Sequence, residues 1–135
     1  MNIPFIDLKS QYNEIEDSIK DAIEKVLDHG IYINGPEVKD FEARLCEYTN
    51  TGYSITCANG TDALTIALLA LDLSPSDAVF VPSFTYIASA EAIALVGATP
   101  YFIDVGDDYN MCSESLITAI EDARANHHQP KAVIP

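Results

Sequence analysis

The sequence contains few basic residues for its length. Only 7 of its 135 residues are lysine or arginine, against 21 aspartates and glutamates, so the formal net charge is −14. Proteins that bind nucleic acid or anionic membrane surfaces need clustered lysine and arginine to neutralise phosphates, and no such cluster occurs here. The composition therefore argues against both kinds of partner, while 48% hydrophobic residues are enough for a buried core.

Paired cysteines and long apolar runs are also lacking. Cys46, Cys57 and Cys112 are odd in number and form no C-x-x-C pair, which argues against a disulfide framework and a zinc site. The longest apolar stretch, from Ile66 to Leu71, is far too short to span a bilayer. Because the N-terminus has no basic region followed by an apolar run, we predict no signal peptide. We expect a cytoplasmic protein with free thiols.

Two helices are predicted in residues 1–52, which we interpret as an N-terminal helical segment. After an extended start from Ile3 to Leu8, apolar residues recur at helical spacing between about Ser10 and His29. Gly30 suits the C-cap of that helix, and Pro36 suits the first position of the next. The buried stripe predicted for the second helix contains Val38, Phe41, Leu45 and Tyr48.

From residue 53 onward the pattern alternates between strand and helix. Strands are predicted at residues 53–57, 78–81, 101–105 and 131–134, and helices at 60–71, 86–96 and 113–126, the last with Ser113 as N-cap. The helix at 60–71 is apolar nearly all round and is predicted to be buried on most sides. This alternation predicts an α/β fold, a mainly parallel sheet with helices on both faces. Since the sequence ends within a strand, residues 53–135 are expected to begin a larger domain.

The stretch from Cys57 to Leu64 follows a predicted strand and opens a predicted helix. Small residues there let an anion approach the backbone, where free N–H groups and the positive end of the helix dipole can hold it. Gly60 would permit a tight turn and the Thr61 hydroxyl would add a donor. A single glycine is a weak motif, so the alternative that Asn59 or Thr61 merely caps the helix stays open. Asp62 should point away from a bound anion.

A second candidate stretch, Pro82 to Tyr86, follows the next predicted strand. Ligands of open α/β sheets bind outside the carboxyl ends of the strands, so this loop and the Gly60 turn should share one crevice. An aromatic ring there could stack on a flat cofactor. The residues alone leave Tyr86 open between that role and the core, and favour the core for Phe84.

Other titratable residues receive no catalytic or metal-binding role. Asp104 lies near the end of the strand predicted at residues 101–105, and Asp107 and Asp108 follow it, but no histidine lies near them and their spacing is not that of an EF-hand. We interpret them as a solvated turn. His29 lies near a helix C-terminus, where a cation is favourable, and we assign it no catalytic role.

Taken together, these stretches resemble the DegT/DnrJ/EryC1/StrS family of sugar aminotransferases. The resemblance covers essentially the whole chain, and the motifs occur in the family's order and spacing. The residues that carry it are Phe5-Ile6-Asp7-Leu8-Lys9 with Gln11, Ile33-Asn34-Gly35-Pro36-Glu37-Val38 with Phe41-Glu42, Cys57-Ala58-Asn59-Gly60-Thr61-Asp62-Ala63-Leu64, Val81-Pro82-Ser83-Phe84-Thr85-Tyr86, and Gly97-Ala98-Thr99-Pro100 leading to Asp104. Within the family the chain looks similar to enzymes that aminate a 3-keto nucleotide sugar, such as a UDP-2-acetamido-3-oxo-glucuronate, in O-antigen (lipopolysaccharide) synthesis.

The resemblance implies the N-terminal part of the large domain of a fold-type-I transferase that uses pyridoxal 5'-phosphate (PLP), usually a homodimer. It implies that Gly60 and Thr61 bind the cofactor phosphate and that Tyr86 stacks on the pyridine ring. Thr85 and the loop of Ile33 to Gly35 would approach the substrate. The implied reactants are a nucleotide sugar and an amino donor such as glutamate, with no nucleic acid, membrane or metal.

The resemblance also implies that the Schiff-base lysine lies beyond Pro135, because none of the five lysines occurs in the family's S-x-x-x-K context. A PLP enzyme must supply that lysine, so no catalytic residue is predicted in these 135 residues and the segment alone is predicted to be inactive. One alternative is a non-catalytic α/β module that folds or self-associates. A Rossmann-type nucleotide-binding domain ranks last, because the glycine fingerprint is missing and two helices come first.

Overall fold

The computed structural model describes residues 5–135, which form five helices and three strands. In chain order these are α1 (Leu8–His29), α2 (Pro36–Thr49), α3 (Gly60–Leu69), β1 (Asp77–Pro82), α4 (Ala88–Leu95), β2 (Thr99–Ile103), α5 (Ser113–Ala125) and β3 (Gln129–Val133). They belong to two compact units, Met1–Thr56 and Cys57–Pro135. The predicted extended start lies partly outside the described residues, and its last residue, Leu8, already belongs to α1.

The ends of α1 and α2 follow from short-range hydrogen bonding. The Asp7 carboxylate accepts from the Ser10 backbone N–H at 3.0 Å and from its hydroxyl at 2.7 Å, so it caps α1. These two bonds hold the pKa of Asp7 below its usual value. Gly30 ends the helix with φ at 66°, a conformation that glycine adopts without strain. Pro36 opens α2 as predicted, and Asn50 ends it.

The predicted buried stripe of α2 is wrong for the residues that the structure describes. Phe41 is 55% exposed and Tyr48 is 88% exposed, and neither helix contains a buried residue. The physical reason is that the described part of this unit provides no further layer against which an apolar stripe can pack.

Residues 53–57 do not form the predicted strand. They form no regular secondary structure, because within the described chain they have no neighbouring strand to complete a hydrogen-bonded ladder. The segment is instead attached to α2, because Glu42 Oε1 accepts from the Thr56 backbone N–H at 2.8 Å and from its hydroxyl at 2.9 Å. The backbone bond and then the hydroxyl bond lower the pKa of Glu42.

The Cys57–Pro135 unit contains a parallel three-stranded sheet in the order β2-β1-β3. Ala78 pairs with Thr99 on one side and with Pro130 on the other, and a register irregularity follows at Val79. All six residues of β1 are buried, because the strand is central and both faces are covered.

Each face of β1 packs against helices. Val79 and Val81 point to one face, where they form a cluster with Leu68 of α3 and Ala92 and Ile93 of α4. Ala78 and Phe80 point to the other face, together with Ile103 of β2 and Ala123 of α5. The predicted α/β fold with a parallel sheet and helices on both faces is therefore confirmed.

Two details of the helices in this unit differ from the prediction. In α3 only Leu68 is buried, while Ile66 and Leu69 are 51% and 61% exposed, because a single face of the helix meets the sheet. Ser113 is the first residue of α5 rather than its N-cap. Cys112 occupies the cap position without a side-chain hydrogen bond, and its backbone N–H is held by the Asp104 carbonyl at 3.0 Å. The other predicted boundaries shift by a few residues.

Asp77 is the one charged side chain among the buried residues of the described chain, at 6% exposure. Its Oδ2 accepts from the backbone N–H and the hydroxyl of Ser74, both at 2.8 Å, and these bonds lower the pKa of Asp77. The Lys131 ammonium lies 3.9 Å from Oδ1. The carboxylate thereby joins the turn before β1 to the start of the sheet.

Replacing Asp77 by asparagine should destabilise the Cys57–Pro135 unit at pH 7, with a difference that shrinks towards pH 3. The folded-state pKa is depressed, so the stabilising effect is present above the ordinary value of 3.8 and is lost as the pH falls through the folded-state value. Urea unfolding at both pH values measures this. Asp107→Asn, on an exposed loop, is the matched control, and equal pH dependence of the two variants would contradict the assignment.

Candidate functional site

The start of α3 combines a capped helix end with unpaired backbone donors. Asn59 is the N-cap, and its Oδ1 accepts from the Asp62 N–H at 2.9 Å. The first backbone bond of the helix runs from the Ala63 N–H to the Asn59 carbonyl. The N–H groups of Gly60 and Thr61 precede that bond, so they have no acceptor within the helix. Capping by Asn59 and binding of an anion by Gly60 and Thr61 are therefore compatible.

The surroundings of Gly60 are open. A Cβ atom placed on Gly60 would meet no atom within 4 Å, and its φ angle is outside the left-handed range. The local backbone at residue 60 therefore accepts any residue, and the turn does not depend on the conformational freedom of glycine. What glycine provides here is free space beside the first-turn N–H groups, into which a ligand can come close to the backbone. Asp62 Oδ2 is engaged by the Asn59 side-chain amide at 3.2 Å.

The loop after β1 presents aromatic rings to solvent. Tyr86 is 78% exposed, and its carbonyl accepts from the Ser89 N–H at 3.1 Å, which fixes its backbone at the start of α4 while the ring stays free. Phe84 is 70% exposed, so its predicted core position is wrong. The Ser83 N–H continues the β1–β2 ladder by donating to the Ile103 carbonyl. The residues after Ser83 leave the sheet. The Phe84 ring then lies 6.2 Å from that of Tyr109.

Both candidate stretches belong to the carboxyl edge of the sheet. The loop of residues 83–87 directly follows the carboxyl end of β1. Helix α3 packs on the sheet through Leu68 and reaches β1 through a short connection, so it runs back along the strand with its first turn towards the same edge. A cleft of about 250 Å³ opens at this edge between Phe84, Thr85, Val105 and Tyr109. Ligands of parallel α/β sheets bind at this edge.

The acidic loop after β2 is held by its own hydrogen bonds. Asp104 Oδ1 accepts from the Val105 N–H at 2.9 Å, and Asp108 Oδ1 accepts from the Asn110 N–H at 3.1 Å. Bonds from Asn110 lower the pKa of Asp108. Within residues 5–135 no group of three or more His, Cys, Asp or Glu side chains is arranged to hold a metal ion.

The lysines lie away from this edge or in the other unit. Lys131 is the one lysine of Cys57–Pro135, and it lies near Asp77, at the amino end of β1. The other four, Lys9, Lys20, Lys25 and Lys39, belong to Met1–Thr56.

Two contacts of Met1–Thr56 were not predicted from the sequence. Glu42 binds Thr56, as described above, and His29 Nε2 lies 2.9 Å from Glu37 Oε1. In each pair, a turn or a loop separates the two residues in the sequence, so helical spacing does not predict either contact. Glu42 lies four residues after Val38 and three before Leu45, so it borders the predicted apolar stripe of α2. A charged residue at that position is the one signal that favours a tertiary role for Glu42.

Of the helices in residues 5–135, none is both long and apolar enough to cross a bilayer.

Comparison with known proteins gives a consistent result. The sequence matches the DegT/DnrJ/EryC1/StrS aminotransferase family over residues 13–135. It is 46% identical over 134 residues to the UDP-2-acetamido-2-deoxy-3-oxo-D-glucuronate aminotransferase of Pseudomonas aeruginosa, a match that covers 98% of this chain and 36% of that enzyme.

Two solved structures agree with this match. A DegT DnrJ EryC1 StrS aminotransferase from Brucella abortus superposes with a TM-score of 0.94 and 49% identity, over 99% of this chain and 36% of that one. The ntda protein of Bacillus subtilis, whose structure contains bound cofactor PMP, superposes with a TM-score of 0.84 and 28% identity, over 98% of this chain and 29% of that one. This chain spans about a third of the length of these relatives. It belongs to the DegT/DnrJ/EryC1/StrS aminotransferase family.

Proposed function

We propose that the protein containing this chain transfers an amino group to a keto nucleotide sugar with PLP as cofactor, and that residues 57–86 provide part of the cofactor site. The observation that carries the proposal is the pairing, at one sheet edge, of the open first turn of α3 with the exposed ring of Tyr86. A phosphate fits the turn, because N–H groups and the helix dipole favour an anion there. PLP, when bound, supplies the electron sink of transamination.

The roles assigned to this chain's residues are binding and orientation. The N–H groups of Gly60 and Thr61 and the Thr61 hydroxyl would hold the phosphate, and the Tyr86 ring would cover one face of the pyridine ring. Thr85 and the loop of Ile33 to Gly35 remain candidates for substrate contacts. The lysine that carries the cofactor and the partner of the pyridinium nitrogen are expected outside these 135 residues.

The substrate class rests on the comparison. The Pseudomonas aeruginosa relative is named as acting on a UDP-linked 3-oxo sugar, so we propose a UDP-3-keto sugar with glutamate as amino donor, and a role in O-antigen or other polysaccharide synthesis. A homodimer in the cytoplasm completes the proposal. The three cysteines are unpaired in the described chain, which suits a reducing compartment.

The phosphate site can be tested through Cys57. This thiol is exposed two residues before Asn59, while Cys46 and Cys112 are half-buried. Pyridoxamine phosphate, which has no aldehyde and so cannot label lysines, should slow the alkylation of Cys57 by iodoacetamide because it occupies the adjacent turn. Pyridoxamine, which lacks the phosphate, should not. Mass spectrometry of the labelled peptide gives the protection constant, and equal protection by the two compounds would contradict a phosphate site.

Two variants sharpen this test. Gly60→Ala should leave stability unchanged, because its Cβ points into open space, yet weaken pyridoxamine phosphate about 10-fold or more by filling the space that the phosphate needs. Gly52→Ala, whose Cβ also meets nothing within 4 Å, is the matched control. Thr61→Ala should weaken binding about 10- to 100-fold through loss of one charge-assisted hydrogen bond, with Thr118→Ala as its control. Unchanged protection in both site variants would remove Gly60 and Thr61 from the site.

A non-catalytic module that self-associates is the second candidate. It is favoured by the large exposed apolar side chains of this chain, such as Leu95 at 71% and Tyr53 at 91%. The gene sequence after the codon for Pro135 separates the two proposals. An in-frame S-x-x-x-K motif supports the enzyme, and a stop codon with stable self-association in sedimentation supports the module.

A further inference from the structure

His29, the last residue of α1, has a partner on each of its ring nitrogens. Nδ1 lies 3.0 Å from the Ile31 backbone nitrogen, and Nε2 lies 2.9 Å from Glu37 Oε1. A backbone N–H can only donate, so Nδ1 must be the unprotonated acceptor. The single proton of the neutral ring is therefore on Nε2, where it is donated to the Glu37 carboxylate. The contacts select one of the two neutral tautomers.

The loop that His29 holds, residues 30–35, is tightly folded. Gly30 and Asn34 have φ angles of 66° and 49°, in the left-handed region. Gly35 is buried, and a Cβ atom there would lie 2.6 Å from the Ile31 carbonyl oxygen. The Ile31 N–H is thus held by His29, while its carbonyl packs on Gly35. The loop presents Ile31, Tyr32 and Ile33, which are 53%, 67% and 84% exposed, in one fixed arrangement.

The His29 ring has few charged neighbours. Glu37 of α2 is its direct partner, and the hydrogen bond from His29 is the main reason why the pKa of Glu37 is lowered. The carboxylate therefore stays ionised well below neutral pH. Tyr32 lines a groove beside Glu37, and on α1 the neighbouring charges are Lys25, one turn earlier, and Asp28. The His29 side chain is 26% exposed, so solvent protons can reach it.

We propose that His29 is a pH-responsive latch on the loop of residues 30–35. Uptake of one proton at Nδ1 turns that nitrogen from an acceptor into a donor, so it can no longer accept from the Ile31 N–H. Two donors then face each other and the Ile31 peptide turns away, while the Nε2–H bond to Glu37 remains and becomes an ion pair. The loop is therefore held while the His29 ring is neutral and released when the ring is protonated.

Protonation of His29 removes the backbone bond to Ile31 but strengthens the pair with Glu37, and these changes have opposite effects on global stability. The test is therefore made at the Ile31 amide rather than by unfolding. Nitrogen-15 spectra of the imidazole at pH 8 should show the proton on Nε2 and an unprotonated Nδ1. Between pH 8 and pH 5, amide hydrogen exchange at Ile31, corrected for intrinsic rates, should accelerate about tenfold. The Gly30 amide, which donates to the Val26 carbonyl at 3.1 Å, is the internal reference and should not change.

Two variants distinguish the role of Nδ1 from that of Nε2. His29→Asn places an amide oxygen near the position of Nδ1, does not titrate and cannot reach Glu37, so it should keep Ile31 protected at both pH values. His29→Gln provides a donor near the position of Nε2 and should leave Ile31 unprotected throughout. A proton on Nδ1 at pH 8, or equal pH responses of the Ile31 and Gly30 amides in the unsubstituted chain, would overturn the proposal without any variant.

Discussion

Phe80→Ala should destabilise the Cys57–Pro135 unit by about 3–5 kcal/mol, the cost of removing a large buried ring. Phe80 lies in the central strand and is 1% exposed. Its ring packs 5.7 Å from that of Tyr101 and contacts the cluster that includes Ile103 and Ala123. Since domains of this size have a total stability of about 5–15 kcal/mol, the loss is a large fraction of what holds the sheet together.

Urea unfolding followed by circular dichroism measures this change. Phe84→Ala is the matched control, since it removes the same ring from an exposed position, 70% accessible, only four residues away. Its effect should stay below about 1 kcal/mol. If the two variants lose equal stability, the assignment of Phe80 to the core and Phe84 to the surface does not hold.

The 135-residue chain by itself should show no transaminase turnover, and PLP followed by borohydride should not label any one lysine stoichiometrically. Transamination with this cofactor needs a lysine placed at the cofactor. Lys131, the one lysine of the Cys57–Pro135 unit, lies 3.9 Å from Asp77 at the amino end of β1, away from the edge at which Tyr86 is exposed.

Peptide mapping after reduction tests this expectation. Scattered low-level modification of several lysines is the expected pattern, and Lys131→Arg, which keeps the positive charge, should leave it unchanged. A single fully labelled lysine would show that the chain contains a carrier lysine and would sink the prediction. Protection of Cys57 by pyridoxamine phosphate does not depend on this outcome, because it reports phosphate binding alone.

The regular parts of the fold were predictable because local patterns agree with the tertiary structure. Buried strands such as β1 are short apolar runs bounded by turn residues, and Gly30 and Pro36 mark helix ends by their backbone preferences. The strand predicted at residues 53–57 fails for a non-local reason. A strand needs a neighbour to complete its hydrogen bonds, and sequence patterns do not indicate whether that neighbour is present.

The candidate site was predictable in position but not in detail. The predicted alternation of strands and helices put the first turn of α3 and the loop after β1 at one edge. The packing of α3 against β1 keeps them there although residues 53–57 form no strand. The interactions of Asn59 and the openness around Gly60 depend on side-chain geometry that spacing does not encode. Phe84 was predicted to lie in the core because it is hydrophobic. Hydrophobicity alone does not show that the chain leaves the sheet just before this residue. The contact between His29 and Glu37 could not be predicted, because Glu37 lies beyond a loop.

The strand order β2-β1-β3 has a consequence for synthesis on the ribosome. Asp77 of β1 pairs with Gln129 of β3, so the central strand is made about 50 residues before one of its two neighbours. At ~5–20 residues per second, that neighbour arrives roughly 3–10 s later. During this interval only β2 can pair with the strand Ala78-Val79-Phe80-Val81, along one of its edges. The other edge is free to pair with any exposed strand. The nascent chain is therefore most prone to aggregation, and most in need of a chaperone, between the emergence of β1 and that of β3.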